Sequence, residues 1–553
     1  MQRTCRQCQS PFEITADDLA FYDKVSLVIA GKKELIPPPS LCPECRQQRR
    51  LAFRNLRHLY RNTCGLTNVP MIANVSPDKP FPVYSREAWL GDGWDAGTYA
   101  RDIPDGPFLP EIGALFRSVP RWGNYIERCE NCDFCMNSYG GKSSYLVLSS
   151  GDFERCFYCQ RVMKGYDCVD CLNLLGGELC HECTDCEDLH TCTNLQNCKQ
   201  CQRCDFCLDC SGCSDCFLCV GLRRKKNCIR NRELPREEYE RQRNDLLGQR
   251  ENLDEELRRF SLDIPHIAVH HIACEGVTGD AVSHCKNVAG AFYVTNSEES
   301  RFVYDSDKVV LSQDASDADY YTSCYEVGSA AWITASAFCE NSIYLNDCFY
   351  CSTCANCDQC FGCIGLKRKK HCILNKQFTK EEYERLVPQI IARMRRAGEW
   401  GEFFPVEISP FAYNETVAQE YFTLTKEEVL KRGWKWKDET DEMLKVSRII
   451  PAEKLPATID DIPDVILQWA IQCEATERPF KIIKQELDFY RKMHLPVPHF
   501  HPDERHRRRM ALRNPRKLWW RKCAKCSKDI ETTYAPERPE VVYCESCYLK
   551  EVY

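Results

Sequence analysis

From Cys132 to Cys228 the sequence falls into register when it is written in rows of twelve. Cys132, Cys156, Cys168, Cys180, Cys192, Cys204, Cys216 and Cys228 share one column, broken only by Ser144. The columns that follow at steps of three hold Cys mixed with Val, Leu, Gly, Ser and Phe. A fixed repeat of this kind constrains the fold before any local propensity does. Period three fits neither a strand, with period 2, nor an α-helix, with period 3.6. It fits a coil with four short sides and one inward residue on each. Twelve residues at ~3.3 Å give a perimeter of roughly 40 Å, or about 10 Å per side. That space admits four small side chains. Leu and Val cannot ligate zinc, so columns that mix them with Cys read as interior packing and not as a metallothionein-like cluster.

The array recurs 144 residues later. Cys324, Cys348, Cys360 and Cys372 continue the first column, and Ala291, Val303, Ala315, Val327, Cys339, Cys351 and Cys363 the second. This copy keeps the inward pattern after losing most of its cysteine. The fold expected is mainly β, with two tandem solenoids of twelve-residue coils. Each would have about nine coils and be roughly 43 Å long at the ~4.8 Å strand spacing. Both end alike, in GLRRKKNCIRNRELPREEYER and GLKRKKHCILNKQFTKEEYER. Thr379 and Glu382 form a capping box, so helices near 236–260 and 380–397 are expected to cap the solenoids. The tetrads Arg223–Lys226 and Lys367–Lys370 read as a solvated rim, with phosphate contact the alternative. His266, His270 and His271 lack partner ligands and read as a strand start.

At the N-terminus, Cys5-x2-Cys8 and Cys42-x2-Cys45 give four thiols in two short bites, which is the pattern of tetrahedral structural zinc in a treble-clef-like module. After Cys45 the run RQQRRLAFRNLRHLYR carries no acid. As one helix it places Arg46, Arg50, Arg54 and Arg57 on one face, a pattern suited to phosphate contacts along RNA. The module returns in decayed form near residue 471, where CEATERPFKI answers CRQCQSPFEI. Its ligand positions become Cys473, Thr476, His501 and Glu504, of which Cys473, His501 and Glu504 leave only a weak metal site. Its arginine face, Arg505, Arg509, Arg513 and Arg516, survives, and Pro515 is expected to end that helix near Arg513. Trp519 and Trp520 follow, and basic charge beside aromatics is the composition of an RNA-contacting surface. The chain closes on a zinc ribbon, Cys523-x2-Cys526 and Cys544-x2-Cys547, with ETTYAP and EVVYC expected to pair between the knuckles. Cys64-x2-Thr67 reads as plain packing, with half a zinc knuckle that has lost its second thiol as the alternative.

These features divide the chain at 1–63, 64–128 (irregular), 129–262, 263–398, 399–470 (mixed linker), 471–520 and 521–553. The 41 cysteines suit a secreted disulfide scaffold, but such scaffolds are small and carry an export signal. MQRTCRQCQS has no apolar core and no apolar run approaches a membrane span, so a cytoplasmic protein with reduced thiols and no membrane contact is expected. The net charge of −7 excludes a chain that binds polyanions along its whole length. The motifs CRQCQSPFEI with PPPSLCPECRQQRR, CVGLRRKKNCI with CIGLKRKKHCI, EWGEFFPVEISPFAYNETVAQEYF and the closing CAKCSKDIETTYAPERPEVVYCESCYLKEVY cover nearly the full length. In these the chain resembles a group of uncharacterised cysteine-rich zinc-ribbon proteins of candidate-phyla (Patescibacteria) bacteria. The resemblance implies zinc binding and a bacterial cytoplasmic setting, and brings no activity with it.

No nucleophile–base pair, nucleotide loop or open metal site is found. The reading is a non-enzymatic scaffold with two structural Zn2+ ions, which contacts RNA or a ribonucleoprotein through its basic modules. The alternatives are a thiol-based redox or metal-handling protein, drawing on Cys180, Cys183, Cys186 and the run from Cys198 to Cys219, and a scaffold that binds a protein partner on its solenoid faces.

Overall fold

The repeat forms what its period requires. The computed structural model describes residues 1–148, 150–160, 165, 168–171, 176, 181, 195–196, 205–247, 253–438 and 446–552. Short parallel strands stack at steps of twelve: Cys207 pairs with Cys219, Cys216 with Cys228, and Ala315 with Val327. Isolated bridges carry the same step along the coils, from Glu130–Lys142 to Phe361–Ile373. The inward columns are buried. Cys135, Val147, Cys156 and Cys159 lie in one core, and Val282, Val303, Cys339, Cys351 and Cys363 in the other. Cys180, Cys183, Cys186, Cys192, Cys198, Cys201 and Cys204 lie outside the described residues.

Each coil turns at the residue before an inward one. Asn131, Phe134 and Asn137 precede Cys132, Cys135 and Ser138 and have φ of 53°, 53° and 49°. Asn341, Tyr344, Asp347 and Tyr350 repeat the conformation in the second solenoid, with φ of 45°, 53°, 48° and 57°. Left-handed backbone costs an L-residue ~1–3 kcal/mol and suits Asn and Asp best, which explains their recurrence at the corners. The inward side chains offset part of that cost. Cys351 Sγ donates to the carbonyls of Phe349 (3.5 Å) and Cys360 (3.6 Å). Ser138 Oγ donates to those of Met136 (2.9 Å) and Val147 (3.3 Å). Ser336 Oγ accepts the N–H of Cys348 at 3.1 Å. Cys and Ser thus satisfy backbone groups at the corners while fitting the interior. Ala and Val fit but do not bond, so small size is only part of why these columns favour cysteine.

The chain forms two compact units, Met1–Asn124 with Val269–Lys437, and Tyr125–Ala268 with Asp438–Tyr553. Each solenoid is therefore completed by a terminal segment that is not its neighbour in sequence. The two units are built alike. The first holds a hairpin, Tyr60–Thr63 with Pro70–Ala73, then Val83–Tyr84 in parallel with Arg121–Trp122 and a helix, Arg86–Leu90. The second holds a hairpin, Trp519–Lys522 with Asp529–Thr532, then Val542–Tyr543 in parallel with His266–Ile267 and a helix, Glu545–Val552.

Stretch 64–128, expected to be irregular, thus contains a copy of the closing ribbon. Cys64, Thr67, Ser85 and Ala88 stand where the ribbon has Cys523, Cys526, Cys544 and Cys547. The expected pairing of ETTYAP with EVVYC does not form, because Val542–Tyr543 pairs with the solenoid entry instead. Helices Arg236–Leu247, Leu253–Leu262 and Lys380–Ala397 follow the solenoids as expected, the last opened by the Thr379–Glu382 capping box. Among the described residues no helix is long and apolar enough to cross a membrane.

Candidate metal centres and the buried arginine faces

Two groups of four thiols form, Cys5/Cys8/Cys42/Cys45 and Cys523/Cys526/Cys544/Cys547. Within each, all four sulfurs lie within 4.8 Å of one another. Tetrahedral coordination with ~2.3 Å metal–sulfur bonds sets neighbouring sulfurs about 3.8 Å apart. Cys8 and Cys42 Sγ are 3.7 Å apart, and Cys526 and Cys544 Sγ 3.8 Å. The donor set therefore fits a soft or borderline tetrahedral cation, zinc foremost, with no open position. Hydrogen bonds from Cys45 and the other thiols pull the Cys42 thiol down to about 5 against its burial. Burial pushes the Cys523 thiol up, but the N–H groups of Cys544, Cys526 and Lys525 outweigh it and bring it to about 6. The coupled partners move the other way: hydrogen bonding to Cys42 pushes the Cys45 thiol up, and hydrogen bonding to Cys544 raises the Cys547 thiol to about 12. Each site thus divides into thiols that release a proton readily and a thiol that keeps it until a cation displaces it. Among the described residues, no other group of three or more ligands converges in this way.

The arginine faces are not where a phosphate surface needs them. The helix α1 runs only from Pro43 to Leu51, and not on to Arg61 as the sequence suggests. Phe53 turns into an aromatic cluster with Phe116, Phe403 and Phe404. Asn55 folds the chain back by donating to the carbonyls of His58 and Asn74. Arg54 and Arg57 thus lie beyond the helix.

The arginines of α1 are buried against the second solenoid. Arg46 Nε meets Asp314 at 2.8 Å, Arg50 meets the same carboxylate at 3.2 Å, and Arg49 reaches Glu326 at 2.7 Å and Glu402 at 2.8 Å. Asp314 and Glu326 are corner residues one coil apart, with φ of 58° and 46°. Burial pushes the Glu326 carboxyl up, and Arg49 and Arg50 pull it back.

The second unit repeats this contact. In the helix α2, Pro502–Leu512, Arg505 and Arg509 meet Asp170 at 2.7 and 3.2 Å. Asp170 is the counterpart of Asp314 in the first solenoid. Arg505 stacks on Tyr158 at 4.6 Å, as Arg46 does on Phe302 at 5.4 Å. Arg46, Arg50, Arg505 and Arg509 therefore face protein carboxylates and not solvent. Sequence alone shows both charged partners but not that they meet, since Arg46 and Asp314 are 268 residues apart.

The other expected residues are placed as follows. α2 ends at Leu512, with Arg513 as its C-cap, and Arg513 and Arg516 are half-buried. Trp519 is half-buried and Trp520 is 68% exposed on the ribbon hairpin. Cys473, His501 and Glu504 do not converge on a metal position: His501 Nδ1 accepts the N–H of Asp503 at 3.1 Å, and Glu504 pairs with Arg507 and Arg508 at 2.7 and 2.9 Å. In the metal-poor ribbon copy, Cys64 accepts the N–H of Ser85 at 3.2 Å, as Cys523 accepts that of Cys544 at 3.2 Å. There an aromatic cluster of Trp89, Trp94, Trp122 and Tyr84 fills the interior. The first residue of each basic tetrad is also spent internally: Lys367 lies over Trp94 at 4.9 Å, and Arg223 over Tyr548 at 5.6 Å. Each unit thus carries one complete thiolate set and one degenerate copy. Comparison with family models and with curated proteins finds no match to this chain.

Proposed function

We propose that this chain is a non-enzymatic scaffold in which two structural zinc ions each fix a small module beside a β-solenoid. The observation that carries the reading is the closed tetrathiolate geometry at both sites, with every ligand position filled by sulfur and none left for substrate. Zinc of this kind contributes folding free energy, on the order of 10 kcal/mol per module. The solenoid faces offer surface for a protein partner. RNA contact is the second reading, and what supports it is Trp520, exposed beside Lys517 and Lys522. The primary test is elemental analysis of the purified chain, with two zinc ions expected and one lost in Cys5→Ser or in Cys523→Ser. A metal content several times higher would favour a cluster in the cysteine field. For the second reading, RNA is titrated at two salt concentrations against the intact chain and Trp520→Ala. RNA binding would fall steeply with salt and weaken in the variant. Binding indifferent to both, or none at low salt, removes RNA from the reading.

A further inference from the structure

The two basic helices make the same contact, but they are anchored differently at their first turns. In α1 the N-cap is Cys42, which makes no side-chain capping bond. Cys42 and Cys45, both in that turn, belong to the thiolate set, and Arg46 follows directly. In α2 the N-cap is His501, whose Nδ1 caps the N–H of Asp503 at 3.1 Å. Glu504 stands where α1 has Cys45, and it pairs with Arg507 and Arg508 on its own helix. The arginine of α2 is held by further groups that need no metal. Arg505 reaches Glu486 at 3.5 Å and Tyr490 Oη at 3.2 Å, and Tyr158 donates to Glu486 at 2.8 Å.

A nine-residue helix is marginal on its own in water. Buried ion pairs are weak evidence of stability, because desolvation offsets most of their attraction. α1 has metal-free contacts too, Arg46 with the Leu41 carbonyl at 2.7 Å and Arg49 with Glu402 at 2.8 Å. Its first turn, however, has no side-chain cap, and the metal site supplies the anchor that this turn lacks.

We propose that the Cys5/Cys8/Cys42/Cys45 site is a latch: with metal bound it keeps the arginines of α1 buried on Asp314 and Glu326, and metal loss bares them while α2 stays docked. This rests on the reading of the site as a zinc site. The latch makes basic surface in the first unit conditional on metal. It also uncovers two carboxylates one coil apart on the second solenoid.

Trypsin cleaves after arginine, so it reads the latch directly. The full-length protein is analysed for metal, then digested briefly before and after a chelator, with metal release followed by a chromogenic indicator. Cleavage after Arg46, Arg49 and Arg50 is expected only once metal has left, while Arg505 and Arg509 remain protected. The double variant Cys523→Ser, Cys526→Ser, which lacks only the ribbon metal, must keep α1 protected until chelation. Protection of α1 that persists after metal release overturns the latch and leaves the zinc reading standing. Equal cleavage of α1 and α2 overturns it as well, since general unfolding would then be the cause. A protein isolated without metal, and with α1 already protected, overturns both readings.

Discussion

Asp314→Asn is the sharpest test of how the modules hold to the solenoids. The change keeps the shape of the side chain and removes its charge, leaving Arg46 and Arg50 buried beside a neutral amide. Asp314 takes two charged contacts, at 2.8 and 3.2 Å. Of the two, the Arg46 contact is a hydrogen bond, worth ~1.5–3 kcal/mol to a charged group, and the Arg50 contact is an ion pair without hydrogen-bond geometry. Breaking a buried pair by removing one partner typically costs ~3–5 kcal/mol, and that is the loss expected here, because both arginines are left beside an uncharged group. At about 1.4 kcal/mol per decade, amide protection of Pro43–Leu51 should fall by roughly 10²–10⁴. Hydrogen exchange by mass spectrometry reads that segment alone, and urea unfolding gives the total. Asp170→Asn should lower the protection of Pro502–Leu512 in the same direction, by less because Arg505 also reaches Glu486 and Tyr490. It should leave α1 unchanged, because the two contacts share no residue. Replacing the whole set, Arg46→Met, Arg50→Met and Asp314→Leu, should be neutral or stabilising by up to ~4 kcal/mol. A cost below about 1 kcal/mol for Asp314→Asn would refute the account of the docked arginines.

Three further outcomes are expected. Cys207→Ala should keep the fold and the metal content at a cost of ~1–2 kcal/mol, and Cys207→Ser should cost less because its hydroxyl can still donate to the Asp205 carbonyl, which Cys207 reaches at 3.4 Å; loss of metal on elemental analysis would contradict the packing role. Thr67→Cys, Ser85→Cys and Ala88→Cys together should bind a third zinc ion per chain, and a count that stays at two means the ribbon copy has lost the ligand geometry. The side chains of Arg507 and Arg508 hold the Glu504 carboxyl at about 2, below its ordinary 4.5. A depressed carboxyl stabilises the fold fully above its unfolded value and loses that contribution as pH falls through its folded one. The stability difference between the native chain and Glu504→Gln should therefore be present at pH 5 and vanish near pH 2, as followed by circular dichroism during urea unfolding.

The solenoids were legible because their signal is periodic and local: an inward residue every third position is mostly small, and the larger Phe153 fits because Gly141 lies one coil before it. The left-handed corners were not, since Phe134 or Tyr350 gives no local sign that it will adopt positive φ. Both thiolate sites were legible from spacing. The first unit's ribbon was half visible in Cys64-x2-Thr67, and VYSREAWL beside VYCESCYL was the signal that would have completed it. The arginine faces were legible as charge and misleading as surface. Their partners lie on another segment, and nothing in a helical charge run tells a solvated face from one that meets a carboxylate in the folded chain.

The pairing of each solenoid with a distant segment sets an order in time. During synthesis the first thiolate set is complete once Cys45 has emerged, and its metal can bind then. Asp314, which receives Arg46, follows 268 residues later, or roughly 15–50 s at ~5–20 residues per second. Through that interval the first solenoid is made, carrying Asp170, the acid that answers to Asp314. An equivalent but wrong carboxylate is thus made before the right one exists. Correct assembly requires any early docking there to stay reversible until the second solenoid arrives.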